Sequence, residues 1–209
     1  MTLLEFSNEF DIMFNNIMSN QAPGLTEYEK SVFLTEAQNS VVLETYSGRS
    51  TKGLSFESNE EARRILDNLV TEKSYTKLPL VDNKCTIAKP ENILVIIYED
   101  AILEEGNHAI VVPVKYDFLY ETLRNPFKMP SKDRVLRVDS NPVSLYSKYD
   151  IKNYTMTYIR KPQPIILEDL DGVSIEGKCE MSECELNSSI HQEILMKAVL
   201  LAKGAFTNS

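Results

Sequence analysis

Three cysteines and two histidines are the residues of this 209-residue chain best suited to metal or nucleophilic chemistry. Cys179 and Cys184 are spaced C-x4-C, and His191 follows in the next stretch. With Cys85 as a fourth ligand they could offer the thiolate and imidazole donors of a tetrahedral zinc site. Zinc pairs usually sit closer together in sequence, and Cys85 lies far upstream, so incidental thiols are the weightier reading. A Cys179–Cys184 disulfide is the other option. An odd, sparse cysteine count fits a reduced intracellular setting, where structural disulfides are rare. The sequence leaves open whether Cys179 and Cys184 are free, paired or metal-bound.

Nucleophilic catalysis needs a base held beside the nucleophile. Only His108 and His191 are available. His108 reads as a polar residue at a hairpin tip, and His191 as an exposed residue in the first turn of a helix. No G-x-S-x-G elbow is present. The seven glycines are scattered, so no phosphate-cradling loop forms. Carboxylate pairs such as Glu104–Glu105 or Asp169 with Asp171 sit among 31 acidic residues, where a solvated surface is the simpler reading. Tyr146, Tyr149, Tyr154 and Tyr158 could form a sugar- or partner-binding face, but at least half of them read as sheet core. We assign no catalytic, cofactor-binding or metal-ligating residue and no cofactor from the sequence.

Composition sets the wider frame. A chain of this length suits one domain, or one with an insertion, and can bury enough surface to need no staples. Its formal net charge is −9 and its pI about 4.9. A nucleic-acid binder needs a basic footprint to displace phosphate counterions, so specific binding is disfavoured. An acidic wall past which DNA slides remains compatible, because it repels phosphates. The first ten residues carry Glu5 and Glu9 and no basic residue, unlike a signal peptide. The longest apolar run, Ile93 to Tyr98, is far below the ~20 residues of a membrane span. The reading is a soluble protein made in a cytoplasm, with no membrane role.

The elements that must position any site follow from periodicity. Phe6, Phe10, Met13, Phe14 and Ile17 form one helical stripe, ended near Ser19–Asn20 ahead of Ala22-Pro23-Gly24. Thr26 and Glu29 form a capping box for a second helix. Its stripe, Val32, Phe33, Leu34, Ala37, Val41 and Val42, is wide enough for contact on two sides, with its own fold and with another subunit. Gly48–Gly53 reads as a polar loop. Ser58 and Glu61 suggest a third helix carrying Ala62, Ile65, Leu66, Leu69 and Val70. Strands follow from about Leu78: a hairpin of Ile93–Tyr98 and Ala109–Val114, short strands at Val135–Val138 and Val143–Tyr146, and Tyr154–Ile159. Pro113 marks a strand end or an edge. Tyr116–Arg124 is a short helix. A final helix starts near Ser189, with Gln192 in the box position, and ends at Gly204.

This pattern predicts an α+β fold. Helices of 1–75 and 187–209 form a bundle, and a mostly antiparallel β-rich lobe spans 76–186, with an acidic loop at 168–186. Two proline-flanked segments, Asn125–Pro130 and Arg160–Pro164, are stiff and lose little entropy on docking. These features suit assembly more than catalysis.

Three segments carry a family resemblance. Phe10–Gln38 resembles the N-terminal segment of a virion structural protein of crAss-like phages that infect Bacteroidales. Tyr158-Ile-Arg-Lys-Pro-Gln-Pro-Ile-Ile-Leu167 resembles a strand exit of that group, and Cys184–Val199 resembles the start of its C-terminal helix. The segments lie in the expected order, while 78–143 matches only in character. The resemblance implies a head-to-tail connector, an adaptor or ring protein at the portal of a short-tailed phage. It implies a homo-oligomeric ring, twelvefold in such proteins, that meets the portal and a neighbouring ring or tail protein. DNA would pass through without specific binding, and the chain would reside at the head–tail interface of the virion. By the same analogy Cys184 and His191 belong to a structural signature, and the opening helices serve packing within and between protomers.

A second function class stands beside this one: a small phage-encoded enzyme or metal-binding module acting in the host cytoplasm. It requires a concave site with perturbed titratable groups, and Cys85, Cys179, Cys184 and His191 gathered around zinc would mark it.

Overall fold

The computed structural model describes residues 1–17, 24–49, 56–57 and 59–207. Among the described residues, five α-helices and a seven-stranded sheet divide into two compact units, residues 1–69 with 161–209, and residues 70–160. The fold is α+β, as the periodicities predict.

The helical unit is built on α1 (Leu3–Ile17), α2 (Glu27–Ser47), α3 (Glu60–Leu66) and α5 (His191–Thr207). Phe6, Phe10 and Phe14 of α1 are buried, and Met13 is half-buried. The expected end of α1 at Ser19–Asn20, the Ala22-Pro23 turn and positions 50–53 of the polar loop lie outside the described residues. The Thr26 capping box of α2 forms in full, with both reciprocal bonds present. Gly48 closes α2 in the left-handed conformation at φ +72°, which glycine adopts without strain. α3 is capped by Asn59, whose side chain accepts from the Glu61 amide; Ser58 is outside the described residues. It is shorter than the pattern suggests, because the chain turns through Asp67–Leu69 directly into a strand. α5 is preceded by a 3₁₀ turn at Ser188–Ile190 capped by Asn187, and it runs through Gly204 rather than ending there. Ile190, Ile194, Leu195, Ala198, Val199 and Ala202 bury its inner face.

The second unit is one curled sheet in the order β1-β7-β3-β4-β5-β6-β2. Its strands are β1 (Val70–Leu78), β2 (Lys84–Ile87), β3 (Ile93–Leu103), β4 (His108–Pro113), β5 (Arg134–Val138), β6 (Val143–Tyr146) and β7 (Ile151–Arg160). Every pairing is antiparallel except β4 with β5. The crossover between those two carries α4 (Tyr116–Arg124). Strands β1 and β2, absent from the sequence reading, are the two edges. Curling brings them together, and the Tyr75 hydroxyl donates to the Ala88 carbonyl at 2.6 Å. The enclosed core includes Ala101, Leu103, Val135, Leu145, Ile151, Tyr154 and Met156.

The acidic segment 168–186 belongs to the helical unit, not to the β-rich lobe that the sequence reading gave it. It forms no named strand. Isolated bridges Ile166–Ser182 and Ile175–Lys178 hold it as a ragged hairpin over a small core of Ile166, Leu170 and Ile175, with Val32 against it.

Candidate functional site

The polar side chains of α2 explain where the resembling segments go. Ser31, Thr35 and Gln38 recur at helical spacing and are all buried. The Ser31 hydroxyl accepts from the Leu167 amide at 3.0 Å. The Thr35 hydroxyl accepts from the Ile165 amide at 3.1 Å and faces the Ile165 carbonyl at 3.3 Å. The Gln38 amide donates to the Gln163 carbonyl at 2.7 Å. One helix face therefore serves as a hydrogen-bonding rail for an extended, proline-stiffened strand exit. Buried backbone groups must find partners, and here side chains supply them. Lys30, only 3% exposed, sits at the start of this face. Its ammonium meets Asp11 at 2.7 Å, Glu27 at 2.8 Å and Ser7 at 3.1 Å. Burial pushes its pKa down, but the hydrogen bonds and charges of Asp11 and Glu27 outweigh that, and the net shift is upward.

The described parts of the three resembling segments that fall in this unit are residues 10–17 with 24–38, 161–167 and 184–199. The Cys184 thiol donates to the Gln38 carbonyl oxygen at 3.1 Å, and burial pushes its pKa up to about 11. His191 is buried against Phe6, with ring centroids 5.3 Å apart. Its Nε2 lies 3.0 Å from the Leu186 carbonyl. A carbonyl only accepts, so Nε2 carries the hydrogen and Nδ1 is left to accept from the Met1 amino group, 2.7 Å away. Burial lowers the His191 pKa, which suits this neutral ring. The helix-start exposure expected for His191 is thus corrected: the residue is a buried strut between the start of α5 and α1.

The thiols are not gathered. Cys85 lies in the sheet core of the other unit, with its pKa raised to about 11 by burial, and Cys179 is exposed. All three are free, and the buried thiols of Cys85 and Cys184, held protonated near neutral pH, are poor nucleophiles and poor ligands. Among the described residues, no three His, Cys, Asp or Glu side chains are placed to hold a metal ion. His108 opens β4, exposed, with Nδ1 3.0 Å from Asp100. No described helix is long and apolar enough to cross a membrane.

The sheet unit holds one buried ionic cluster. Glu99 of β3 accepts from Arg137 Nε of β5 at 3.0 Å and from the Tyr154 hydroxyl of β7. Burial first, then the Glu99 charge, pushes the Tyr154 pKa upward. The cluster ties three strands together. Tyr154 and Tyr158 are core, as expected for half of the tyrosine set, while Tyr149 is 37% exposed.

The opposite situation holds at α4, a surface that sequence reasoning did not single out. No residue of α4 is buried. Tyr116, Phe118, Tyr120 and Phe127 are exposed, the last at 88%. Beneath them is an open hollow of about 560 Å³. Ile110, Val112, Phe118, Phe127 and Leu136 form its walls, and Lys115, Lys128 and Arg134 also line it. A residue-type signal was available: four aromatics and five basic residues fall within 115–134. The two stiff proline segments meet different fates. Arg160–Pro164 runs into the α2 rail, with Pro162 and Pro164 buried, while Asn125–Pro130 borders the open hollow.

Comparison with known proteins places these features. A family model described as phage tail ring protein 3/4 matches residues 1–209. Ring protein 3 of Bacteroides phage crAss001 is 45% identical over 218 residues, covering 97% of this chain and 95% of its own length. Ring protein 4/5 of the same phage is 34% identical over 223 residues, covering 99% of this chain and 94% of its own length.

Proposed function

The chain belongs to the phage tail ring protein 3/4 family, and on that premise we propose that it is a structural virion protein forming a ring in the head-to-tail connector of a short-tailed phage. The single observation carrying this reading is the whole-length match to that family and to two proteins named as ring proteins. Copies close into a ring, twelvefold by the resemblance of its opening and closing segments to connector proteins. One side meets the portal and the other a neighbouring ring or tail protein. The ring bounds the channel through which DNA leaves. The net charge of −9 supports that role, since carboxylates along a channel repel phosphates and keep DNA from sticking. The chain's polar clusters act as structural joints, and no catalytic step is assigned to it.

Quantitative mass spectrometry of purified particles tests this. We expect peptides of the chain at a copy number equal to that of the portal subunit. Absence from mature particles would contradict the proposal.

A further inference from the structure

A closed ring of identical chains needs two different, complementary patches on each copy, because a head-to-tail contact never joins a patch to itself. Resting on the ring reading above, we infer that the basic hollow beside α4 receives the acidic hairpin around Met181 of the next copy in the ring.

Charge separates the two patches. The unit of residues 1–69 and 161–209 carries 19 acidic and 9 basic side chains, a formal −10. The unit of residues 70–160 carries 12 acidic and 13 basic side chains, a formal +1. The contrast sharpens locally. Residues 115–134 hold five basic and three acidic side chains, whereas 168–186 hold seven acidic and one basic. The hollow includes three cations, Lys115, Lys128 and Arg134, and no carboxylate in its lining. Among the described residues, no carboxylate pairs with Lys115 or Lys128. On the hairpin, Glu168, Asp171, Glu180 and Glu183 are exposed, and none of them is paired with a cation among the described residues.

Shape agrees with charge. Met181 is 56% exposed and sits between Glu180 and Glu183. Its backbone is fixed: the Met181 amide donates to Asp169 at 2.8 Å, and Ser182 bridges to Ile166. The loop, held by these bonds, presents an unbranched apolar side chain flanked by carboxylates. The hollow offers an apolar floor of Ile110, Val112 and Leu136 with cations at hand. Methionine adapts to irregular apolar gaps, and preorganised partners lose little entropy on docking. Phe127, highly exposed at the edge of the hollow, supplies the aromatic area that interface centres favour.

Charge reversal tests the inference. Two variants are made, K115E/K128E and E180K/E183K, with M181A as a third. Circular dichroism checks that each folds. Association of each is followed by sedimentation beside the wild type. Each charge variant alone should associate at least about tenfold more weakly, since like charges then face each other across the contact. An equimolar mixture should recover assembly, because an alternating ring restores an opposite-charge contact at every joint. M181A should weaken assembly with no change in its salt dependence. Wild-type rings together with variants that assemble equally well would overturn this interface and leave the ring reading intact. A mixture that stays as weak as its parts would do the same. A wild type that never associates, at any concentration and with particles present, would overturn both.

Discussion

At the residue scale, the informative side chains are the buried polar ones, and His191 is the most testable. Its neutral ring is held between the Leu186 carbonyl and the Met1 amine, and burial lowers its pKa from the ordinary 6.5. The sign of the pH effect follows. Between the lowered folded value and 6.5 the unfolded chain binds more protons than the folded one, so stability rises with pH in that window. The contribution is complete above pH 6.5 and is lost as pH falls below it. We expect His191→Gln, which keeps a donor for Leu186 but cannot titrate, to flatten the fall in unfolding free energy between pH 7.5 and 5.5. Denaturant titrations across that range measure it; an unchanged pH slope would remove His191 from the account. Little of this was legible beforehand. Residue type and helix position place His191 on a surface, and only the tertiary fold shows that α1 and the Leu186 carbonyl enclose it. The same holds for Cys184, whose partner Gln38 is on another element and far away in sequence.

At the element scale, α2 shows how far periodicity carries. The Thr26 box and the apolar residues Leu34, Ala37, Val41 and Val42 were readable, and all of these apolar residues are buried. The polar half of its buried surface was not. Ser31, Thr35 and Gln38 look like solvent residues unless the strand exit they serve is known. Part of the broad α2 surface is covered within its own unit by residues 163–167, and its expected contact with another subunit belongs to the ring proposal. Strands β3 to β7 were largely readable from β-branched runs and alternation. Edge strands β1 and β2 were missed because β1 is mostly exposed and polar, and β2 has only four residues. The rail makes a sharp prediction. Thr35→Val keeps shape but removes the hydroxyl, stranding the buried amide and carbonyl of Ile165. The cost should be about 1–3 kcal/mol. Urea denaturation should show a lower midpoint with an unchanged slope, and amide exchange at Ile165 should quicken. Wild-type stability in this variant would mean that the rail contributes nothing.

At the scale of the whole molecule, the chain carries surfaces of the kind that the proposed ring assembly needs. Its two units differ in charge, its described titratable clusters are spent on internal joints, and Tyr116, Phe118 and Tyr120 of α4 are exposed close in sequence to Phe127. Family membership and these surfaces point the same way. A ring subunit needs complementary faces, and composition alone could not show where they lie. The central claim is that copies of this chain close around a channel. Cryo-electron microscopy of the particle's portal vertex tests it most directly. The account predicts a closed ring of this chain, coaxial with the DNA, with carboxylates dominating its lumen. A vertex without this chain, or the chain found there as an isolated copy, would contradict it.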